Sequence, residues 1–137
     1  MRLWHKDLIS VLPKAQLVAQ WRELSAIVGN IQTKNTPNHI LVNKVIDYPY
    51  DHFITYAQLV RNEMTNRGYQ TRNSVWDKII SLKPTWEEID FNDLYCNWMD
   101  KQYLKICYYN LREKYLCSGI KKEDWEKILK KILNKYY

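Results

Sequence analysis

Leu17-Val18-Ala19-Gln20-Trp21-Arg22-Glu23-Leu24-Ser25-Ala26-Ile27-Val28-Gly29 places apolar residues at Leu17, Trp21, Leu24 and Val28. Steps of 4, 3 and 4 put those four side chains on one face of a helix. Pro13 suits the first turn of that helix and Gly29 its C-terminal stop, so it is expected over 13–28. Gln16, Gln20 and Glu23 share the opposite, polar face, with Arg22 beside it. Such a face is ordinarily solvated surface. It can also hold a carboxylate over a cleft, with an arginine at hand for a phosphate.

On either side of this helix the pattern stays helical. Ile40–Ile46 is a short apolar, β-branched run between Pro37 and Pro49; with no second strand to pair with, it reads at least as well as a helical turn. Asp51 can cap a helix carrying Phe53, Tyr56, Ala57, Val60 and Met64, closed by Gly68. A shorter helix is expected over Val75–Leu82, ended by Pro84. A long aromatic one is expected from Trp98 to Cys117, with Gly119 as its stop. Glu123, Asp124 and Glu126 open a last helix with the stripe Trp125, Ile128, Leu129, Ile132, Leu133 and Tyr136. Lys127, Lys130, Lys131 and Lys135 cover its other side, as a solvated face or as a contact for a phosphate backbone. The expected fold is all-α, a single compact domain spanning residues 1–137.

The composition bounds the function. The chain has 137 residues, 46% of them hydrophobic, with six Trp and eleven Tyr, enough for one core and too few for two domains. No apolar run approaches the length of a membrane span and the opening ten residues carry no apolar signal core, so a cytoplasmic protein is expected. A net charge of +6 in a small aromatic-rich chain favours a polyanion partner. Cys96, Cys107 and Cys117 form neither a CxxC pair nor a Cys/His cluster, so reduced and mostly buried thiols are expected. Three scattered glycines make no phosphate loop, and His5, His39 and His52 have no metal-ligand spacing. Chemistry would therefore come from carboxylates, basic groups or the N-terminus. Arg2 is too bulky for the usual removal of Met1, which leaves a free α-amine of ordinary pKa about 7.7–8.0, a far better neutral-pH nucleophile than lysine. Leu3 and Trp4, apolar so near the end, suggest that this terminus is pinned to the core.

Leu17 to Leu24 followed by Gly29 resembles the first helix of the pyrimidine-dimer DNA glycosylase family, the endonuclease V-class repair enzymes. Met1-Arg2-Leu3-Trp4-His5, Leu8-Ile9 and Leu12-Pro13 resemble its bacterial branch. Asn38-His39, Asn66-Arg67-Gly68-Tyr69, Leu111-Arg112-Glu113-Lys114 and Lys122 to Lys127 are similar to further family segments. The resemblance runs end to end and is most specific over the first 30 residues.

It implies about three main helices plus shorter ones, with the N-terminal segment threaded between them. It also implies a glycosylase with AP-lyase activity on damaged double-stranded DNA, a UV pyrimidine dimer being the implied lesion. The α-amine of Met1 would displace the base through an imine and β-elimination would then cut the strand, with Glu23 as the essential carboxylate and Arg22 as a phosphate contact. Arg2, His39, Arg112, Trp125 and Lys127 complete the implied DNA-contacting set. No metal, cofactor or membrane is called for, and a monomer associated with the nucleoid is expected.

The chain also departs from the family pattern. Met1-Arg2 stands where phage relatives carry threonine and arginine, a further first-helix arginine falls at Ala26, and a histidine falls at Gln16. Of the family's chemistry, abasic-site cleavage therefore carries over more directly than dimer preference. Two other readings stand beside it. One is a nucleic-acid-binding module of the same fold without catalysis; the other is a protein-interaction adaptor using the aromatic helix 98–117.

Overall fold

The structure is a computed structural model that describes residues 2–33 and 40–136, with side chains through Asn134. Met1 and residues 34–39, which include Pro37, Asn38 and His39, lie outside the described residues, as do the side chains of Lys135 and Tyr136. The fold is all-α, and no strand occurs among the described residues. After an extended stretch, a 3-10 turn runs over Lys6–Val11. The helices are α1 (Lys14–Thr33), α2 (Ile40–Ile46), α3 (Tyr50–Asn66), α4 (Asn73–Ile80), α5 (Lys101–Leu116) and α6 (Lys122–Tyr136).

The layout follows from which faces are apolar. Leu17, Trp21, Leu24 and Val28 are all buried, and α1 packs them against α3 and α4. The 3-10 turn rests on α3 and α6, and α5 packs on α6. Leu3, Trp4, Leu8, Ile9 and Leu12 are each at most 6% exposed, so the chain's start lies inside the helices. Each such side chain contributes roughly 1.5–3 kcal/mol when buried, enough to offset about 1–2 kcal/mol of backbone ordering per residue. The threaded N-terminal segment is thus present, and Leu3 and Trp4 were the residues that signalled it.

Several expected element ends move. Helix α1 does not stop at Gly29. It continues to Thr33; Gly29 faces α4, where an added Cβ would lie at an ordinary 3.5 Å from Lys78 Nζ, which itself donates to Ser25 O. Gly68 does end α3, with φ +83°, as Gly68 N–H donates to Thr65 O and Tyr69 N–H to Met64 O. At the end of α5 the same pair of bonds runs from Ser118 N–H to Tyr115 O and from Gly119 N–H to Lys114 O. There the left-handed residue is Ser118 (φ 65°), not Gly119. Helix α5 starts at Lys101 rather than Trp98, because the Asp100 carboxylate caps it by accepting the Tyr103 N–H at 2.8 Å. Cys107 is buried, whereas Cys96 and Cys117 are exposed, which corrects the expectation of mostly buried thiols.

Asp51 is also not a cap. It lies inside α3, accepting from Lys83 Nζ and, at 2.7 Å, from Glu87 N–H. Thr55 Oγ1 accepts from Ile89 N–H and His52 Nδ1 from Tyr95 N–H. One polar edge of α3 therefore satisfies the backbone of the irregular connection 81–100.

This edge makes stability pH-dependent. The hydrogen bond from Lys83, with help from Glu87 N–H, holds the Asp51 carboxyl below its ordinary 3.8. Burial, opposed by Asp51 and Asp93, holds the His52 imidazole below 6.5. Both groups take up protons less readily folded than unfolded, so acid favours the unfolded chain. His52's contribution is complete above 6.5 and is lost as pH falls through its lower folded value; Asp51's is complete above 3.8 and is lost further down. Denaturation midpoints taken from about pH 8 to about pH 3 should fall in two steps, and His52→Asn should flatten the first alone. A midpoint that rises on acidification would contradict the assignment.

Candidate active site at the N-terminal segment

The extended residues 2–5 are held by side chains from three helices. Gln20 of α1 donates from Nε2 to Arg2 O at 2.9 Å and accepts at Oε1 from Trp4 N–H at 2.8 Å. Tyr103 of α5 donates to Leu3 O, and Tyr56 of α3 to Trp4 O at 2.6 Å. Burial pushes both phenols up from their ordinary value, so each keeps the proton that these bonds need. His5 Nδ1 accepts the Asp7 N–H at 3.1 Å and Nε2 faces Met99 O at 2.8 Å, so the imidazole carries its proton on Nε2. A chain terminus usually frays; this one has its main chain tied at successive residues.

Glu23 follows Gln20 by three positions and therefore lies beside it on α1. Gln20 Nε2 lies 3.3 Å from Glu23 Oε2, so one amide touches both the Arg2 carbonyl and the Glu23 carboxylate. Glu23 is half-buried. The Arg2 guanidinium lies 5.4 Å from the centre of the Trp4 ring, close to Tyr103 and Cys107. Burial raises the Cys107 thiol, against the pull of His5 N–H and Arg2, and leaves it neutral. The charged groups described around this segment include the Glu23 carboxylate, the Arg2 guanidinium and the Asp7 carboxylate, whose Oδ2 lies 3.8 Å from His5 Nδ1.

Arg22 is exposed on the adjoining side of α1 and opens onto a groove of about 480 Å³ between α1 and the α5–α6 junction. Lys14, Gln16, Lys121 and Asp124 also line it, and Gln16 Oε1 is buried with no hydrogen-bond partner. Neither Lys14 nor Lys121 is marked as a site residue by the sequence pattern; Lys14 lies on α1, eight positions before Arg22, whereas Lys121, 99 positions away, reaches the groove only through the tertiary fold.

The remaining sequence candidates lie elsewhere. Arg112 is exposed on α5 and Lys127 on α6, and neither lines that groove. Trp125 is 7% exposed and stacked between Tyr108 and Tyr115, with ring centres 5.4 and 5.1 Å away. Its ring fastens α6 to α5 and presents no free face. Met1 and His39 lie outside the described residues. Among the described residues no group of His, Cys, Asp or Glu could hold a metal ion, and no helix is long and apolar enough to cross a membrane.

An all-α fold that buries its own N-terminal segment against a glutamate-bearing helix, beside a cationic groove, defines the class of protein to be sought. The chain belongs to the pyrimidine dimer DNA glycosylase family, whose model matches residues 1–77. That match takes in the N-terminal segment and α1 to α3, hence Arg2, Gln20, Arg22, Glu23 and Tyr56, while α5 and α6 lie beyond it. No curated protein and no solved structure matches the chain. Membership makes it a DNA repair glycosylase, with DNA as its substrate.

Proposed function

We propose that this single-domain protein is a glycosylase with AP-lyase activity that works on a damaged base, a UV pyrimidine dimer, in duplex DNA through its N-terminal α-amine. The observation that carries the reading is the Gln20 amide, which binds the Arg2 carbonyl on one side and the Glu23 carboxylate on the other. The proposed amine is carried by the residue that precedes Arg2 in the chain.

In this mechanism the neutral amine attacks C1′ of the lesion nucleotide, and the base leaves with the electrons of the glycosidic bond. The nitrogen then gives up a proton, its lone pair forms the C=N bond as the C1′–O4′ bond breaks, and O4′ takes up the proton; the Glu23 carboxylate stabilises the positive charge of the resulting protonated imine. Glu23 then takes the C2′ proton. The electrons of that C–H bond form the C1′–C2′ double bond as the C=N pair moves onto nitrogen; when that pair returns, the double bond shifts to C2′–C3′ and the 3′ phosphate leaves with the electrons of the C3′–O bond. Water finally hydrolyses the imine and restores the amine. The lesion nucleotide has to leave the stack for C1′ to be reached. Arg22, with Lys14 and Lys121 along the groove, would neutralise backbone phosphates, and Arg2, His39, Arg112 and Lys127 extend the basic contact surface. Trp125 contributes by holding the helix that presents Lys127.

Borohydride reduction tests this. With its native N-terminus, the protein should be trapped covalently through Met1 on a duplex carrying one thymine dimer and on a matched abasic duplex, and not on undamaged DNA. Trapping on the abasic duplex alone would keep the lyase and remove the dimer. Binding without trapping on either would make the chain a nucleic-acid-binding module.

A further inference from the structure

We propose that Gln20 is a positioning residue of this reaction, setting the distance between the segment that carries the amine and the Glu23 carboxylate; the inference rests on the reading above. Gln20 is 0% exposed. A primary amide has two N–H donors and a carbonyl with two lone pairs, and all of them are engaged here. Nε2 donates to Arg2 O at 2.9 Å and to Glu23 Oε2 at 3.3 Å, while Oε1 accepts from Trp4 N–H at 2.8 Å and faces the Tyr56 hydroxyl at 3.0 Å. Trp4 N can only donate and Arg2 O can only accept, so the amide cannot be turned over. The Tyr56 hydroxyl also lies 2.6 Å from Trp4 O, and its single proton is shared between two acceptors.

The carbonyl of residue 2 and the N–H of residue 4 are the groups that a parallel neighbouring strand would take from an extended chain. Gln20 supplies that neighbour from a single side chain on a helix. Its planar amide holds the backbone with one edge and Glu23 with the other, so the separation is fixed by one rigid group rather than by two independent rotamers. Gln20 shares the anchoring of this segment with other groups. Leu3 and Trp4 are already buried, and Leu3 O has the Tyr103 hydroxyl. An apolar side chain here would leave the Trp4 N–H and the Arg2 carbonyl without their Gln20 partner. What glutamine adds is the link to the carboxylate.

The test compares untagged wild-type protein with Gln20→Met and Gln20→Glu. Adduct formation on an abasic duplex is measured under single turnover, alongside affinity for a duplex bearing a tetrahydrofuran abasic analogue and the melting temperature. Ile79→Val, a buried change in α4 remote from the N-terminal segment, controls for lost stability. Gln20→Met should keep affinity within about threefold and slow trapping by about 10²-fold, the size expected when reacting groups shift by about 1 Å. Gln20→Glu keeps the shape but sets a carboxylate against Arg2 O and Glu23. It should slow trapping likewise and move the acid limb of the pH–rate profile upward, because added negative charge makes the amine hold its proton. Should Gln20→Met not fold, Gln20→Glu carries the test. Trapping by either folded variant at the wild-type rate overturns the proposal. So does a loss no greater than that of Ile79→Val at matched stability, with an unshifted pH profile. Failure of the wild-type protein to trap through Met1 is read separately and removes the underlying reaction.

Discussion

Glu23→Gln should abolish base release and strand cleavage while leaving DNA binding intact. A carboxylate that both stabilises the cationic sugar and removes the C2′ proton contributes on the order of 10²–10⁴ in rate as a general base, and its charge adds to that. Glutamine has the same shape, and its side-chain oxygen can still accept the hydrogen bond that Glu23 Oε2 accepts from Gln20 at 3.3 Å. Glu23 is half-buried on α1, and the residues that fasten this helix, Leu17, Trp21, Leu24 and Val28, are untouched. The sign of the binding effect also follows. Removing one negative charge from a protein of net +6 strengthens its attraction to a polyanion, so affinity should hold or rise slightly at low salt. Single-turnover base release and fluorescence anisotropy on the same duplex separate the two effects. Base release within tenfold of wild type would remove Glu23 from the chemistry.

The helical faces were legible because the 3.6-residue period is local: Leu17, Trp21, Leu24 and Val28 declare their face without reference to the rest of the chain. What lies across from a face is not local. Gln16, Gln20 and Glu23 read as a polar surface, yet Gln20 is enclosed because residues 2–4 lie on it, 16–18 positions away in sequence. The same limit misplaced Asp51. An acidic residue near a helix start reads as a cap, while its partners Lys83 and Glu87 come from 32 and 36 residues further on. Residue type alone makes Gly29 and Gly119 helix stops. At Gly29 the helix simply continues, with Lys78 of α4 at ordinary contact distance, and at the end of α5 a serine takes the left-handed turn. Trp125 belongs by periodicity to the apolar stripe of the last helix, and only the family resemblance makes it a DNA contact. Tyr108 and Tyr115 enclose its ring, and their approach depends on how α5 and α6 cross. Apolar residues beside a chain end were the one long-range signal that carried: Leu3 and Trp4 have no use for burial unless helices close over them.

Acetylating the N-terminus, or adding even one residue ahead of Met1, should eliminate covalent trapping while the protein still folds and binds DNA. At about pH 7.4 roughly a quarter of an α-amine of ordinary pKa is neutral, against about 0.1% of a lysine. No lysine ammonium can therefore substitute at comparable rate, even if one reached C1′. Acetylation removes the nucleophile outright. A one-residue extension keeps an amine but carries it up to about 3.5 Å further along the chain. Since reacting atoms need to stand about 3–3.5 Å apart, that displacement alone defeats attack. The anchors of the segment survive both changes: Arg2 O, Leu3 O and the Trp4 backbone keep Gln20, Tyr103 and Tyr56 as partners. Loss of reaction would then be a loss of the amine and not of the fold. Melting temperature and affinity for the tetrahydrofuran duplex should stay near wild type, and borohydride trapping on the abasic duplex should fall by at least about 10²-fold. An extended protein that traps as fast as the native one would place the nucleophile on a side chain. Peptide mapping of the trapped adduct would then show which lysine carries the sugar.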